Sequence, residues 1–260
     1  MKTLKLAGKT IEVYDDIENL PVTRFHKYNK MLLVDAGIGS DIADFDKHIS
    51  RIAAFLAKND NKQAITELEN IRQNVYFIQS GVSPRNLAFA VLVKSIDGKP
   101  CDDLSDEGLK KIVDMFADVP YKDLAASIEA VKKKIDRELQ MYFPRLFDDA
   151  TVKEYYDQLK RRTVLILQTI IDGGSKPERE KEIDDITAEL ITYFNPKSFS
   201  GSDSVEIEQD KQFEKMCLML SQHLHTDPKN MSVLAYYNAF EYIKAVSYTH
   251  LRAHETLSDL

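Results

Sequence analysis

The stretch that decides the fold is SDIADFDKHISRIAAFL, residues 40–56. Its apolar residues recur at spacings of three, four, three and four, namely Ile42, Phe45, Ile49, Ile52 and Leu56. This period is that of an amphipathic α-helix with one apolar stripe. Ser40 stands directly before the pattern, where a helix N-cap is expected. The stretch therefore predicts a helix that begins after Ser40 and turns its stripe toward a core.

Similar apolar periods predict helices over most of the remaining chain. They run from Pro21 to Gly37, Asp60 to Gly81, Ser105 to Pro120, Pro120 to Phe143 and Thr151 to Asp172, with three more around 183–194, 213–224 and 234–243. The 260 residues include only 9 glycines and 8 prolines, which disfavours β-sandwiches and propellers because both need many turns. We expect a mainly α protein with an N-terminal part at 1–102, a helical bundle at 103–246 and a separate tail at 247–260.

The first residues alternate apolar and polar side chains, as a β-hairpin does. Residues 2–6 and 9–13 follow this pattern on either side of Gly8. Two strands alone are marginally stable. The apolar run from Ala88 to Val93, followed by an Asp97-Gly98 turn, predicts a further strand and a second hairpin. The expected fold is therefore a helical bundle with a small β-hairpin or sheet element near the N-terminus.

The charge pattern limits the classes of partner that the chain is expected to bind. The formal net charge is −7, and residues 175–246 hold 8 basic and 13 acidic side chains. Acidic surfaces repel nucleic acid and anionic lipid, so we expect neither as a partner. No apolar run reaches the roughly 20 residues of a membrane span, and the N-terminus lacks a signal-peptide pattern. With only Cys101 and Cys217 present, we expect a cytoplasmic, reducing environment.

Two histidine pairs are the candidate metal ligands. His250 and His254 are four residues apart, as in helical zinc sites, but the glutamate that follows the first histidine in metalloproteases is absent. His223 and His225 are two residues apart, which places them on different sides of a regular helix. Cys217 stands in an apolar stripe, where a thiol packs as a small hydrophobe. We therefore expect no metal and no other cofactor.

A glycine-containing turn precedes the helix of residues 40–56. Gly37 and Gly39 could form a phosphate-binding turn, but the further motif residues of such turns are missing. A C-cap glycine followed by Ser40 as an N-cap explains the same residues. No nucleophile motif and no carboxylate pair stands out elsewhere, so we expect that the chain is not an enzyme.

Two basic clusters, Lys132–Lys134 and Lys160–Arg162, keep an alternative function open. Acidic residues stand three or four positions from these cations, which favours salt-bridged helix surfaces. Clusters that share one exposed face without intervening carboxylates would instead indicate an intracellular helical nucleic-acid-binding regulator.

The segment QHLHTDPKNMSVLAYYNAFEYI, residues 222–243, follows a short N-terminal hairpin and an acidic helical chain. In this layout and segment the chain resembles the assembly and tail-chaperone proteins of tailed bacteriophages. The resemblance implies a non-enzymatic phage structural or tail-assembly protein of the host cytoplasm. It implies binding to other phage or assembly proteins, or self-association, and it assigns no catalytic residue.

The last residues of the chain carry a different resemblance. The string SYTHLRAHE, residues 247–255, does not continue the preceding apolar stripe. It resembles the read-through translation of a sequencing-library adapter. This implies that residues 247–260 are not native sequence and that their deletion leaves folding unchanged.

The closing helix carries the candidate partner-binding residues Tyr236, Tyr237, Phe240 and Tyr242. Tyr236, Phe240 and Ile243 share one side of a helix with Tyr237, which makes an apolar arc too wide for one narrow core contact. Exposed aromatics of this kind anchor protein interfaces. A tightly packed bundle would instead bury the whole arc. Both readings stay open, and the edge of the N-terminal hairpin is the second candidate surface.

Overall fold

The computed structural model describes residues 1–6, 8–117, 119, 121–144, 150–174 and 176–258, with the side chains of all but residues 121–123, 150–151 and 246–258. These residues form ten α-helices and one antiparallel sheet of four strands, which confirms the predicted mainly α fold with an N-terminal β element. In chain order the elements are β1 Lys2–Leu6, β2 Lys9–Val13, α1 Val22–Gly37, α2 Ile42–Ala57, α3 Asn61–Ser80, α4 Pro84–Leu92, β3 Val93–Ile96, β4 Lys99–Pro100, α5 Asp106–Asp114, α6 Tyr121–Tyr142, α7 Ala150–Ile171, α8 Pro177–Ile191, α9 Val205–Ser221 and α10 Val233–Ser258.

The strands lie in the order β1-β2-β3-β4. Leu4 pairs with Ile11 in the first hairpin, and Ile11 pairs with Ile96 of β3. The turn into β4 has φ values of 50° at Asp97 and 76° at Gly98. Positive φ at both central residues is what a type I′ hairpin turn requires. Both predicted hairpins are therefore present.

The predicted strand over Ala88–Val93 is wrong in its position. Pro84–Leu92 form helix α4, and β3 begins only at Val93. All residues from Ala88 to Val93 are buried, and a continuous apolar run fits a fully buried helix as well as a strand. Pro84 stands in the first helical turn, where its fixed φ favours the helix.

The chain divides into two compact units. The sheet unit comprises Met1–Asp35, Val82–Pro144 and Glu206–Leu260, and the helical unit comprises Ala36–Gly81 and Arg145–Val205. Both units draw segments from either side of residue 102. The expectation that residues 1–102 and 103–246 are separate domains stays a prediction.

The sheet unit has an apolar core. Its main buried cluster joins residues of the sheet, α1, α4, α5 and α6, and includes Ile11, Val91, Leu109 and Ile135. The guanidinium of Arg24 is also buried there, and it donates to the carbonyls of residues 91, 93 and 101 at 2.9, 3.1 and 2.6 Å. Carbonyls at the junction of α4 and β3 thereby gain partners that the ladder does not supply.

Candidate protein-docking surface

A buried polar network joins the helices α2 and α3 of the helical unit. The buried residues of α3 are Ala64, Glu67, Asn70 and Asn74. The carboxylate of Glu67 is fully buried, with Nδ1 of His48 at 3.1 Å from one oxygen and Nδ2 of Asn70 donating to the other at 3.2 Å. Nε of Arg51 lies 3.0 Å from the first oxygen. Buried charges require partners of this kind, so this network joins the two helices.

The same network fixes two segments of irregular backbone. The carbonyl of Ile38 lies 2.9 Å from Nε2 of His48 and accepts a hydrogen bond from Nδ2 of Asn74 at 3.0 Å. Asn70 donates to the carbonyl of Lys197 at 3.0 Å, and Gln73 donates to that of Phe199 at 2.7 Å. The polar residues therefore hold together chain segments that are far apart in sequence.

Both ring nitrogens of His48 face acceptors, a carboxylate and a carbonyl. Only the imidazolium form can donate from both nitrogens. Burial by itself lowers the pKa of His48, but the hydrogen bonds to Glu67 and to the Ile38 carbonyl outweigh it and raise this pKa above its ordinary value. The geometry and the raised pKa both favour the imidazolium form, in which His48 and Glu67 make a buried ion pair.

The apolar stripe of residues 40–56 does not face a core, which corrects the sequence prediction. Asp41 is the N-cap instead of Ser40, and its side chain accepts from the amide of Asp44. The buried residues of α2 are His48 and Phe55. On α2 and α3 six large apolar side chains are between 48% and 70% exposed: Ile42, Ile49, Leu56, Ile65, Leu68 and Tyr76. These six define what we term the apolar face.

Helix geometry places the six residues on one side of the pair. At 100° per residue, Ile42, Ile49 and Leu56 lie about 80–120° around α2 from His48. In the same rotational sense, Leu68, Ile65 and Tyr76 lie about 100–180° around α3 from Glu67. The short connection at 58–60 makes α2 and α3 antiparallel neighbours. In antiparallel helices the same sense of rotation leads to the same side, so Leu68 continues the stripe of α2, and Ile65 and Tyr76 extend the apolar face around α3.

The spacing within the apolar face is that of a coiled-coil seam. Residues 42, 45, 49, 52 and 56 occupy successive a and d heptad positions, as do 65, 68, 72 and 75 on α3. A strict a/d stripe is narrower than the stripe of an ordinary core-facing helix and fits one further helix at a shallow crossing angle. Arg72 is the one polar residue at these positions, and Asp46 stands on the outer flank of α2.

A cleft of about 530 Å³ lies on another side of α2, against α7 and α8. Its lining includes the cations Lys47, Arg51 and Arg162, apolar side chains, and Asp46, which stands between the cleft and the apolar face. Lys47 pairs with Asp44 at 2.8 Å, and Arg51 pairs with Glu67. Because neighbouring carboxylates already neutralise these two cations, the cleft is a weaker candidate site than the apolar face.

The aromatic residues predicted from sequence lie on α10 in the sheet unit. Tyr236 is 3% exposed and belongs to a small buried cluster with Cys217 and Leu220. Tyr237 and Phe240 are partly buried against it. Burial raises the pKa of the Tyr236 hydroxyl.

Tyr242 differs from the other three aromatics of α10, because it is 70% exposed. The bundle therefore covers much of the predicted arc, and its role in partner binding stays a prediction. At the other predicted surface, β1 is an edge strand that carries Lys2 and Lys5. Lysines on an edge strand discourage pairing with another chain.

Carboxylates accompany both basic clusters. Lys133 pairs with Glu129 at 3.3 Å and Lys134 with Asp15 at 2.8 Å. In the second cluster Arg161 pairs with Glu182 at 2.5 Å. This is the interleaving that favours salt-bridged helix surfaces over a phosphate-binding patch.

The remaining sequence candidates form no shared site among the described side chains. His223 and His225 are exposed just beyond the end of α9, and Cys217 is buried with a pKa raised by burial. His250 and His254 lie outside the described side chains, although the backbone of α10 continues to Ser258. In the described part of the chain there is no cluster of metal-ligating side chains. No helix there has the length and apolarity to cross a bilayer.

Searches against protein families, curated proteins and solved structures find no match for this chain.

Proposed function

We propose that this chain is a non-catalytic assembly protein that docks a helix on the apolar face of α2 and α3. The exposure of these six large apolar side chains is the observation that carries the proposal. An aliphatic side chain presents roughly 60–120 Å² and a tyrosine roughly 150–250 Å², so the exposed fractions together leave on the order of 400 Å² of apolar surface uncovered. The largest apolar patch on a typical monomer is about 300–600 Å² and often functional.

The buried polar network supports a docking role over a catalytic one. His48 and Glu67 could in principle exchange a proton, but both are buried. His48 contacts the carbonyl of Ile38, and Glu67 holds Asn70, which donates to the carbonyl of Lys197. A catalytic pair must reach a substrate. An assembly role also agrees with what the resemblance of residues 222–243 to phage tail-assembly proteins implies, and the phage context belongs to this proposal.

The test uses a synthetic peptide with leucine at the a and d positions of about three heptads, labelled with fluorescein. We expect the peptide to bind the full chain, as measured by fluorescence anisotropy. The double variant Ile49→Glu, Leu68→Glu should weaken binding at least about tenfold, because two charges would be buried. The control Leu218→Glu changes an equally exposed leucine of α9 and should leave binding unchanged.

Thermal unfolding of each variant accompanies the binding measurement. Both face residues are exposed, so we expect melting temperatures close to that of the native chain. A chain that neither binds the peptide nor self-associates through this face would overturn the proposal. So would equal binding by the native chain and the face variant.

A further inference from the structure

The apolar face is large enough to form the centre of a protein interface. Its six exposed side chains leave on the order of 400 Å², about half of the roughly 800 Å² that each partner contributes to a stable complex. Phe45, Ile52 and Val75 are partly exposed beside them and extend the surface. A single added helix would cover only part of this two-helix face, whereas a second helix pair would cover all of it.

Two copies of the apolar face are complementary when a two-fold axis relates them. This axis runs parallel to α2 and α3 and lies in the plane of the interface. Such an axis lays α2 of one copy on α3 of the other and makes these neighbours antiparallel. It also leaves each residue at its own height along the helices. Ile42 then lies at the height of Tyr76, and Ile49 at the height of Leu68, so apolar side chains meet apolar side chains.

The same two-fold axis also brings opposite charges together, namely those of Arg72 and Asp46. Arg72 is the one cation within the face and forms no ion pair with any residue that the structure describes. Asp46 and Arg72 are equally distant in sequence from Asn59 in the connection, so they lie at the same height. Under the two-fold axis, Arg72 therefore approaches the partner's Asp46 and the partner's Arg72 approaches Asp46. An isologous interface makes each contact twice in this way.

The flanks also argue against a membrane surface as the occupant. Asp46 on α2 and Glu69 on α3 border the face. Helices that lie on anionic membranes carry lysine and arginine along this border. Carboxylates would repel the lipid headgroups.

We infer that the occupant of the apolar face is a second copy of this chain, which forms an antiparallel four-helix bundle from two α2–α3 pairs. The inference rests on the proposed function, because it names the partner of that same surface. The a/d spacing on both helices is the pattern that four-helix bundles bury. The described chain thus supplies both halves of its own interface.

Sedimentation velocity of the full chain over a wide concentration range tests the inference. We expect a reversible dimer whose dissociation constant rises at least about tenfold in Ile49→Glu, Leu68→Glu and not in Leu218→Glu. Arg72→Asp and Asp46→Arg should each weaken the dimer, and the two together should restore it because the pair is only reversed. Melting temperatures near the native value show that each variant is folded.

Each other outcome has a definite meaning. A monomer at every concentration that still binds the leucine peptide overturns the second copy and leaves the docking function standing. A monomer that binds no peptide overturns both. If the dissociation constant of the dimer does not change in the face variants, or in the variants of Arg72 and Asp46, the dimer interface lies elsewhere and the inference is overturned. A monomer that binds phosphatidylglycerol vesicles through Ile49 and Leu68 assigns the face to a membrane.

Discussion

The sheet unit and the α2–α3 pair of the helical unit differ in the side chains that they bury. The sheet unit encloses apolar residues such as Ile11 and Ile135. In the helical unit, α2 and α3 enclose Glu67 and Asn74 and leave large aliphatic side chains in solvent. Because hydrogen bonds and ion pairs join α2 and α3, the large apolar side chains on the other side of these helices stay exposed. Exposed apolar side chains of this kind can pack against another chain.

The difference has an energetic consequence. Apolar burial contributes roughly 25 cal/mol per Å² and is non-directional, so a large core distributes its stability over many contacts. A buried ion pair offsets its desolvation cost only when every partner is present. The helical unit should therefore be sensitive to single polar substitutions. The sheet unit should be sensitive to truncation of its aliphatic residues.

The largest expected effect comes from Glu67→Ala. Removing this carboxylate takes away the buried anion that His48, Arg51 and Asn70 share, so we expect the helical unit to lose about 3–5 kcal/mol of stability. Hydrogen exchange measured by mass spectrometry reads the two units separately. Glu69→Ala, on an exposed side of α3, should stay within about 0.5 kcal/mol. Equal loss in both units would contradict the contrast between them.

The second prediction compares isoleucines that are alike in sequence and unlike in burial. Ile135→Ala in α6 should destabilise the sheet unit by about 2–4 kcal/mol, because it leaves a cavity in a packed core. Ile65→Ala on the apolar face should cost less than about 0.5 kcal/mol. Denaturant unfolding at protein concentrations low enough to make self-association negligible provides both free energies. A comparable cost at Ile65 would show that the apolar face is packed within the chain.

The smallest expected effect is a difference between the two units in how their stability depends on pH. The pKa of His48 is raised from 6.5, so its contribution is complete below that pH and is lost as the pH rises through the folded value. The helical unit should therefore loosen as the pH rises above 6.5 through the folded pKa of His48. His48→Gln should abolish this dependence in hydrogen exchange of α2 and α3. If the pH dependence of hydrogen exchange were unchanged in His48→Gln, another titrating group would be responsible for it.

In the sheet unit, Asp210 responds in the opposite direction. Burial alone would raise its pKa, but hydrogen bonds from Lys30 and His26, at 2.7 Å each, outweigh burial and lower the pKa below 3.8. The stability that Asp210 contributes is present above that pH and is lost as the pH falls through the folded value. The sheet unit should accordingly loosen on acidification, and Asp210→Asn should remove this part of the dependence.

Local signals in the sequence were sufficient for most helices and turns. Asp60 caps α3 through the amide of Gln63, and Ser105 caps α5 through that of Gly108, as their side chains predict. The Asp97-Gly98 turn follows from two residues that tolerate positive φ. These features depend on atoms within a few residues of one another, so a sequence window contains all the necessary information.

The run from Ala88 to Val93 shows where a local window fails. Its residues are apolar on every side, so neither a period of two nor a period of 3.6 can be recognised. The surrounding elements bury the segment completely, and such burial suits a helix as well as a strand. Only the packing in three dimensions assigns Pro84–Leu92 to α4.

The sequence by itself determined that residues 42–56 form a helix with one apolar stripe, because periodicity and capping are properties of adjacent residues. The tertiary structure decided which way that stripe points. The ion pair between His48 and Glu67 joins residues of two helices, and it turns the polar sides of α2 and α3 toward each other. A periodic pattern shows that a helix has two unlike sides, but the neighbours of each side come from distant parts of the chain.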